Sequence, residues 1–324
     1  MTSPPAGPSP AGGQQDGGAP RPRARRDKGN ADQRTTGRRE LARHARFAEV
    51  SPEVGVLDER AMRRALADDP ATFELLAAMT TATDERLRAA ALRLAAAVVL
   101  DRARATRPTV RGISRLRPVR GAVDGDLDID ASMEGVAAAR AEARPPGRDD
   151  LTTLLWARAP TAFAVVVDRS GSMSGTRLGS AALVAAACAL RAPREHAVLT
   201  FAGTVDVIRP LVSELTPATV AERLLRLRGH GVTRLAAGLR GAVDQLANAQ
   251  AGRRVVILLS DCRSTNEDGA ADIARLIPEL IILAPADDSD QAAHLARQSG
   301  ARWAPITHPL DAATALDYLL QTSA

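Results

Sequence analysis

Two aspartates, a threonine and closely spaced serines carry the chemistry that this sequence offers. Asp168, Ser170 and Ser172 alternate in Asp168-Arg169-Ser170-Gly171-Ser172, directly after the apolar run Val165-Val166-Val167. Thr233 follows Gly229-His230-Gly231-Val232, and Ser260-Asp261 follows the apolar run at 255–259. Hydroxyls backed by carboxylates suit a hard cation such as Mg²⁺, which takes oxygen ligands in near-octahedral geometry and keeps several waters. A protein shell that fills only part of that geometry leaves a position for an incoming carboxylate. Asp-x-Ser-x-Ser alone also suits the capping of turns. Its standing here comes from context, because Asp168 and Ser260-Asp261 each follow a strand-like run and Thr233 lies in a loop before a predicted helix.

These residues need a scaffold that brings three separated loops together. From about residue 159, apolar runs of strand length alternate with amphipathic stretches. The predicted strands are 163–167, 197–201, 205–208, 254–259, 280–284 and 302–306. The predicted helices are 178–192, 217–227, 234–250, 269–276, 289–299 and 309–321. Aliphatic strands separated by helices predict an α/β fold: a Rossmann-like, doubly wound, mostly parallel sheet covered on both faces. Its ligand site should lie at the carboxyl ends of the strands, where Asp168 and Asp261 fall. Aromatics are 2% of the chain, so aliphatic side chains must fill the core.

Upstream, residues 41–107 read as a small helical domain, with Leu87, Ala91, Leu94 and Val98 at helical spacing. Helix starts are predicted at Asp69-Pro70 and at Thr83, and Arg107-Pro108 ends the segment. Residues 108–158 read as a connector, with a short strand over 126–130 and a helix opened by Ser132. Residues 1–40 are rich in Pro, Gly and Arg and poor in large apolar side chains, which predicts a disordered tail.

The spaced Asp, Ser, Ser, Thr and Asp resemble the metal-ion-dependent adhesion site of the von Willebrand factor A (VWA) family. All five positions of that pattern are present. The resemblance implies a VWA domain over 159–324. It implies that Ser170 and Ser172 bind the metal directly and Thr233 directly or through water. Asp168 and Asp261 would act through water and by hydrogen-bonding the hydroxyl ligands. The ion would be Mg²⁺, with Mn²⁺ or Ca²⁺ as substitutes, and the last position would take a Glu or Asp of a protein partner. The stretch 167–173 and the leader 126–134 resemble the intracellular bacterial branch of the family, which works beside AAA+ ATPases of the MoxR or magnesium-chelatase type. An adaptor or co-chaperone that is not itself an enzyme is the implied role. One departure is Cys262, which follows Asp261 where the family commonly has Gly; it reads as a small residue tolerated in the loop, with a redox-sensitive thiol beside the metal edge as the alternative.

Other chemistries fare worse. Lys28 is the one lysine in the chain and has no Walker A context, so ATP chemistry belongs to a partner. Gly171-Ser172-Met173-Ser174-Gly175 puts Met173 where a nucleophile elbow needs serine. Of the scattered histidines, His44, His196, His230, His294 and His308, His230 lies near Thr233 and is the general-base candidate for an alternative Mg²⁺-dependent hydrolase. Asp124, Asp126, Asp128 and Asp130 miss the EF-hand spacing, with Ile129 and Gly135 at the positions of its Gly and Glu, so they read as a solvated strand face. Cys188 and Cys262 cannot build a disulfide framework, and a reducing compartment is the simpler reading.

The net charge of +5 and pI of 10.3 point toward nucleic acid until the charge is placed. Residues 1–46 hold ten basic and four acidic side chains, so the remaining 278 hold 33 basic against 34 acidic. A nucleic-acid role would therefore rest on the Arg-rich tail alone. The chain shows neither a signal-peptide core nor an apolar run of membrane-spanning length, and the expectation is a cytoplasmic protein.

Overall fold

The computed structural model describes residues 35–106, 115–121, 125–157, 160–171, 176–229, 231–264 and 269–321. The predicted tail falls outside these residues up to position 34. Residues 35–40 of the expected tail are described, and there Thr36 bridges to Ala82 and a helix begins at Arg38.

The chain opens with helices α1 (Arg38–Leu41), α2 (Phe47–Val50), α3 (Glu59–Asp68), α4 (Thr72–Met79) and α5 (Glu85–Ala105). A small antiparallel sheet follows, built from β1 (Arg115–Arg120), β2 (Asp126–Asp128) and β3 (Thr152–Ala157) in the order β1-β3-β2, with α6 (Ile129–Ala141) between β2 and β3. The α/β part then runs β4 (Thr161–Asp168), α7 (Thr176–Arg191), β5 (His196–Phe201), β6 (Val205–Arg209), α8 (Pro217–Leu225) and α9 (Leu235–Ala247). It continues through β7 (Arg253–Leu259), α10 (Ala270–Leu276), β8 (Leu280–Pro285), α11 (Asp290–Ser299), β9 (Arg302–Ile306) and α12 (Ala312–Gln321).

The large sheet has the order β6-β5-β4-β7-β8-β9, with β6 antiparallel to β5 and the other pairings parallel. Its strands are aliphatic because both faces are covered. On β4, Phe163, Val165 and Val167 join a core with Leu183 and Val184 of α7, Leu224 of α8 and Leu316 of α12. The alternate residues Ala162, Ala164 and Val166 join a second core with Leu239 of α9, Ala274 of α10 and Leu295 of α11. A one-residue slip would exchange the two sets, so the burial pattern fixes the register.

The N-terminal helices add a further layer over the first face. Phe73, Leu76, Leu87 and Leu94 belong to the same core as α7 and α8. The contact is close at Gly179 of α7, where a Cβ would stand 2.4 Å from the Phe73 ring. Two helix starts differ from expectation, because in each an aspartate takes the N-cap while the hydroxyl bonds to a carbonyl elsewhere. Asp84, not Thr83, caps α5 by accepting from the Leu87 N–H at 2.9 Å, while the Thr83 hydroxyl turns to the Thr36 carbonyl at 3.4 Å. Asp128, not Ser132, caps α6 by accepting from the Ala131 N–H at 3.0 Å. The strand predicted over 126–130 accordingly stops at Asp128.

Candidate functional site

Asp168 is the last residue of β4 and is fully buried. The chain leaves β4 for β5 on one side and returns to β7 on the other, so Asp168 stands where the direction of winding reverses, the usual place for a ligand in such sheets. Its Oδ1 accepts from the Ser170 N–H at 2.7 Å, which curls the loop back over the strand end. Its Oδ2 accepts from the Ser260 hydroxyl at 2.6 Å. The parallel pairing of Val167 with Leu259 dictates this bond, because it brings the next residues, Asp168 and Ser260, abreast. Ser260 Oγ also accepts from the Cys262 N–H at 2.8 Å, and Asp261 Oδ1 accepts from the Arg263 N–H at 2.9 Å.

The segment that carries Thr233 is held from both sides. The Arg234 N–H donates to the Ala202 carbonyl at 3.1 Å, and the Ser264 hydroxyl donates to the Thr233 carbonyl at 3.4 Å. Upstream, Gly229 lies so near the first loop that a Cβ would meet the Ser170 carbonyl oxygen at 2.4 Å. The neighbouring Arg228 donates to the Thr80 carbonyl at 3.4 Å, tying this segment to the N-terminal helices. Each of the three loops therefore touches the other two: Asp168 with Ser260, Ser170 with Gly229, Thr233 with Ser264.

Asp168, Ser170, Thr233 and Asp261 are all at most 5% exposed. Burial pushes the Asp168 carboxyl up from its ordinary range, and the Asp261 charge adds to the rise. Hydrogen bonds from Ser260 and Ser170 oppose it. Two carboxylates gathered in a dry place favour a cation there. Their companions are hydroxyls rather than imidazoles or thiolates, which fits a hard ion and not zinc. Among the described residues no group of three or more His, Cys, Asp and Glu side chains gathers into a metal cluster.

Four of the five predicted residues come together in this way. Ser172 and His230 lie outside the described residues. Ser260 is the residue that motif reading missed, although its place beside Asp168 follows from the pairing of the two preceding apolar runs. Cys262 is buried and sits at φ 60°, in the left-handed region that a glycine adopts without strain. Burial raises its thiol, with the Asp261 and Asp168 charges adding, so it stays protonated. Cys188, buried in α7, has its thiol pushed up to about 12 by burial.

The comparisons with known proteins bear on this region. Residues 163–264 match the family model of the von Willebrand factor type A domain. No curated protein matches the sequence. Among solved structures, the chain is similar to an aerotolerance-related membrane protein of Bacteroides fragilis at 16% identity, covering 49% of this chain and 98% of that one, with a TM-score of 0.41. It is similar to the von Willebrand factor domain of the type V pili tip protein Mfa5 of Porphyromonas gingivalis at 21% identity, over 32% of this chain and 38% of that one, with a TM-score of 0.28. It is also similar to the PilB minor pilin of Streptococcus sanguinis at 14% identity, over 54% and 65%, with a TM-score of 0.42. The chain spans less than two thirds of both pilus proteins. The cytoplasmic placement expected from the sequence is overturned by this comparison, since the similar structures are described as a membrane protein and as pilus proteins. Among the described residues, no helix is long and apolar enough to cross a membrane. Residues 163–264 thus carry a von Willebrand factor type A domain, a protein-interaction and adhesion module.

Proposed function

We propose that the carboxyl edge of β4 and β7 binds a divalent cation and, through it, a carboxylate of a protein partner. Asp168, Ser170, Ser172, Thr233 and Asp261 would hold the ion, with Mg²⁺ first and Mn²⁺ or Ca²⁺ as substitutes. When bound, the ion supplies a positive point to which a Glu or Asp side chain can bind. The chain's own residues do the rest: Ser260 holds one oxygen of Asp168, and the Ser170 amide holds the other. The observation that carries the reading is the closed contact of three loops around two buried carboxylates.

The resemblance noted in the sequence makes an AAA+ ATPase of the MoxR or magnesium-chelatase type, or that ATPase's client, the first partner to test. The test is binding of such an ATPase to the full chain in Mg²⁺ and in EDTA, for the native protein and for Asp168→Ala and Ser170→Ala. Binding should vanish in EDTA and in both variants while their circular dichroism stays native. Binding that persists in all three conditions overturns the metal mechanism. Binding that is absent throughout, while Mg²⁺ itself still binds, overturns the choice of partner.

A further inference from the structure

A cavity of about 290 Å³ opens at the same edge of the sheet, on the side of β8 and β9. Its buried lining is mainly apolar, with Leu259, Leu283 and Ile306 near the ends of β7, β8 and β9 beside Ser180 of α7. Its rim is charged, made by Glu74, Arg177 and Asp287. A mainly apolar lining with a few polar groups at the mouth is the usual form of a side-chain or small-ligand pocket.

The rim has a sign. Arg177 Nη2 lies 3.0 Å from the Asp287 carboxylate, so those two charges offset each other. Glu74 is exposed, and among the described residues it makes no ion pair. Its position is set, because its neighbour Phe73 packs on Gly179 of α7, the helix that also carries Arg177. Among the described lining residues, the balance at the mouth is one negative charge above a mainly aliphatic lining. Lysine and arginine have that form in reverse, with an aliphatic stem and a cationic head.

The pocket is also close in the chain to the metal-type site. Leu259 immediately precedes Ser260 and Asp261, and the Ser260 N–H donates to the Leu283 carbonyl at 3.3 Å. We infer that this cavity receives a basic side chain of the protein partner, next to the edge that would take that partner's carboxylate. The inference rests on the proposed function only for the identity of the partner; the pocket's preference for a cation stands on Glu74 and the mainly apolar lining.

The test uses n-pentylammonium as a probe, with pentanoate and 1-pentanol as its anionic and neutral counterparts. Each is titrated into the methyl-labelled full chain and followed by NMR at Leu259, Leu283 and Ile306. Pentylammonium should shift these methyl signals saturably, and pentanoate should not. Glu74→Gln, at an exposed position that leaves the core untouched, should weaken the response about fivefold, the size of one modest ion pair. Glu74→Lys should abolish it. The response should persist in EDTA and in Asp168→Ala, which separates it from the metal reading. Equal shifts with all three probes, no saturable shift, or an unchanged response in Glu74→Gln would each overturn the inference.

Discussion

Ser260 Oγ donates to Asp168 Oδ2 at 2.6 Å and thereby joins the ends of β4 and β7, two strands that lie 92 residues apart in sequence. The same oxygen accepts from the Cys262 N–H, so one fully buried hydroxyl satisfies a carboxylate and an amide. Ser260→Ala should leave both unsatisfied and cost about 1–3 kcal/mol of stability. Because supporting groups commonly tune metal affinity 10–100-fold, Mg²⁺ affinity should also fall on the order of tenfold. Chemical denaturation and Mg²⁺ titration calorimetry on the same variant check the two effects. A loss of stability with unchanged Mg²⁺ affinity would make Ser260 a brace of the sheet only.

Gly229 is fixed by proximity rather than by backbone angle, since a Cβ there would stand 2.4 Å from the Ser170 carbonyl oxygen. Gly229→Ala should push the Thr233 segment away from the first loop. The expected result is weakened Mg²⁺ binding with a modest loss of stability, because the clash lies in loops and not in either core. Gly179→Ala gives the opposite balance. Its Cβ would enter the Phe73 ring within the core, and overpacking of that kind costs about 1–3 kcal/mol. Phe73→Leu should recover part of the loss in the double variant. Additive losses in a double-mutant cycle would show that the two residues do not bear on each other.

The strands were legible in the sequence because the buried sheet needs aliphatic side chains on both faces. The run 163–167 has no other reading once helices flank it. The motif was legible because Asp168 and Asp261 sit directly at strand ends. What stayed hidden depends on partners distant in sequence. Thr83 and Asp84 are both good N-caps in isolation, and Thr36, 47 residues away, decides between them by taking the Thr83 hydroxyl. The helical segment looked self-contained because its spacing is that of any amphipathic bundle. Its packing against α7, through Phe73 on Gly179, depends on a glycine that no periodicity marks.

Cys262 holds a left-handed backbone at φ 60°, where a side chain costs about 1–2 kcal/mol relative to glycine. Cys262→Gly should relieve that strain and give back a little through the freer unfolded chain. The expected net is a gain of up to about 1 kcal/mol, read as a higher urea midpoint at constant slope. A lower midpoint would mean that packing of the buried sulfur outweighs the strain.

His196 sets a pH limit on the fold. It is 2% exposed at the start of β5, and its Nδ1 lies 2.8 Å from the Ala192 carbonyl, an acceptor, so Nδ1 carries the proton. Nε2 is buried without a hydrogen-bond partner among the described residues, so it has no means of holding a second proton. Burial lowers the imidazole from 6.5 to about 4, and the Arg209 guanidinium beside it adds to the fall. Between those values the unfolded chain takes up a proton that the folded chain refuses. The stabilisation is therefore complete above about pH 6.5 and is lost as pH falls through about 4, to a total of at most about 3 kcal/mol. His196→Leu removes the titrating ring while leaving the backbone carbonyl that Arg209 uses. Its urea midpoint should change less than that of the native chain between about pH 7 and about pH 4.5. An equal change in both proteins would assign the acid sensitivity to other groups.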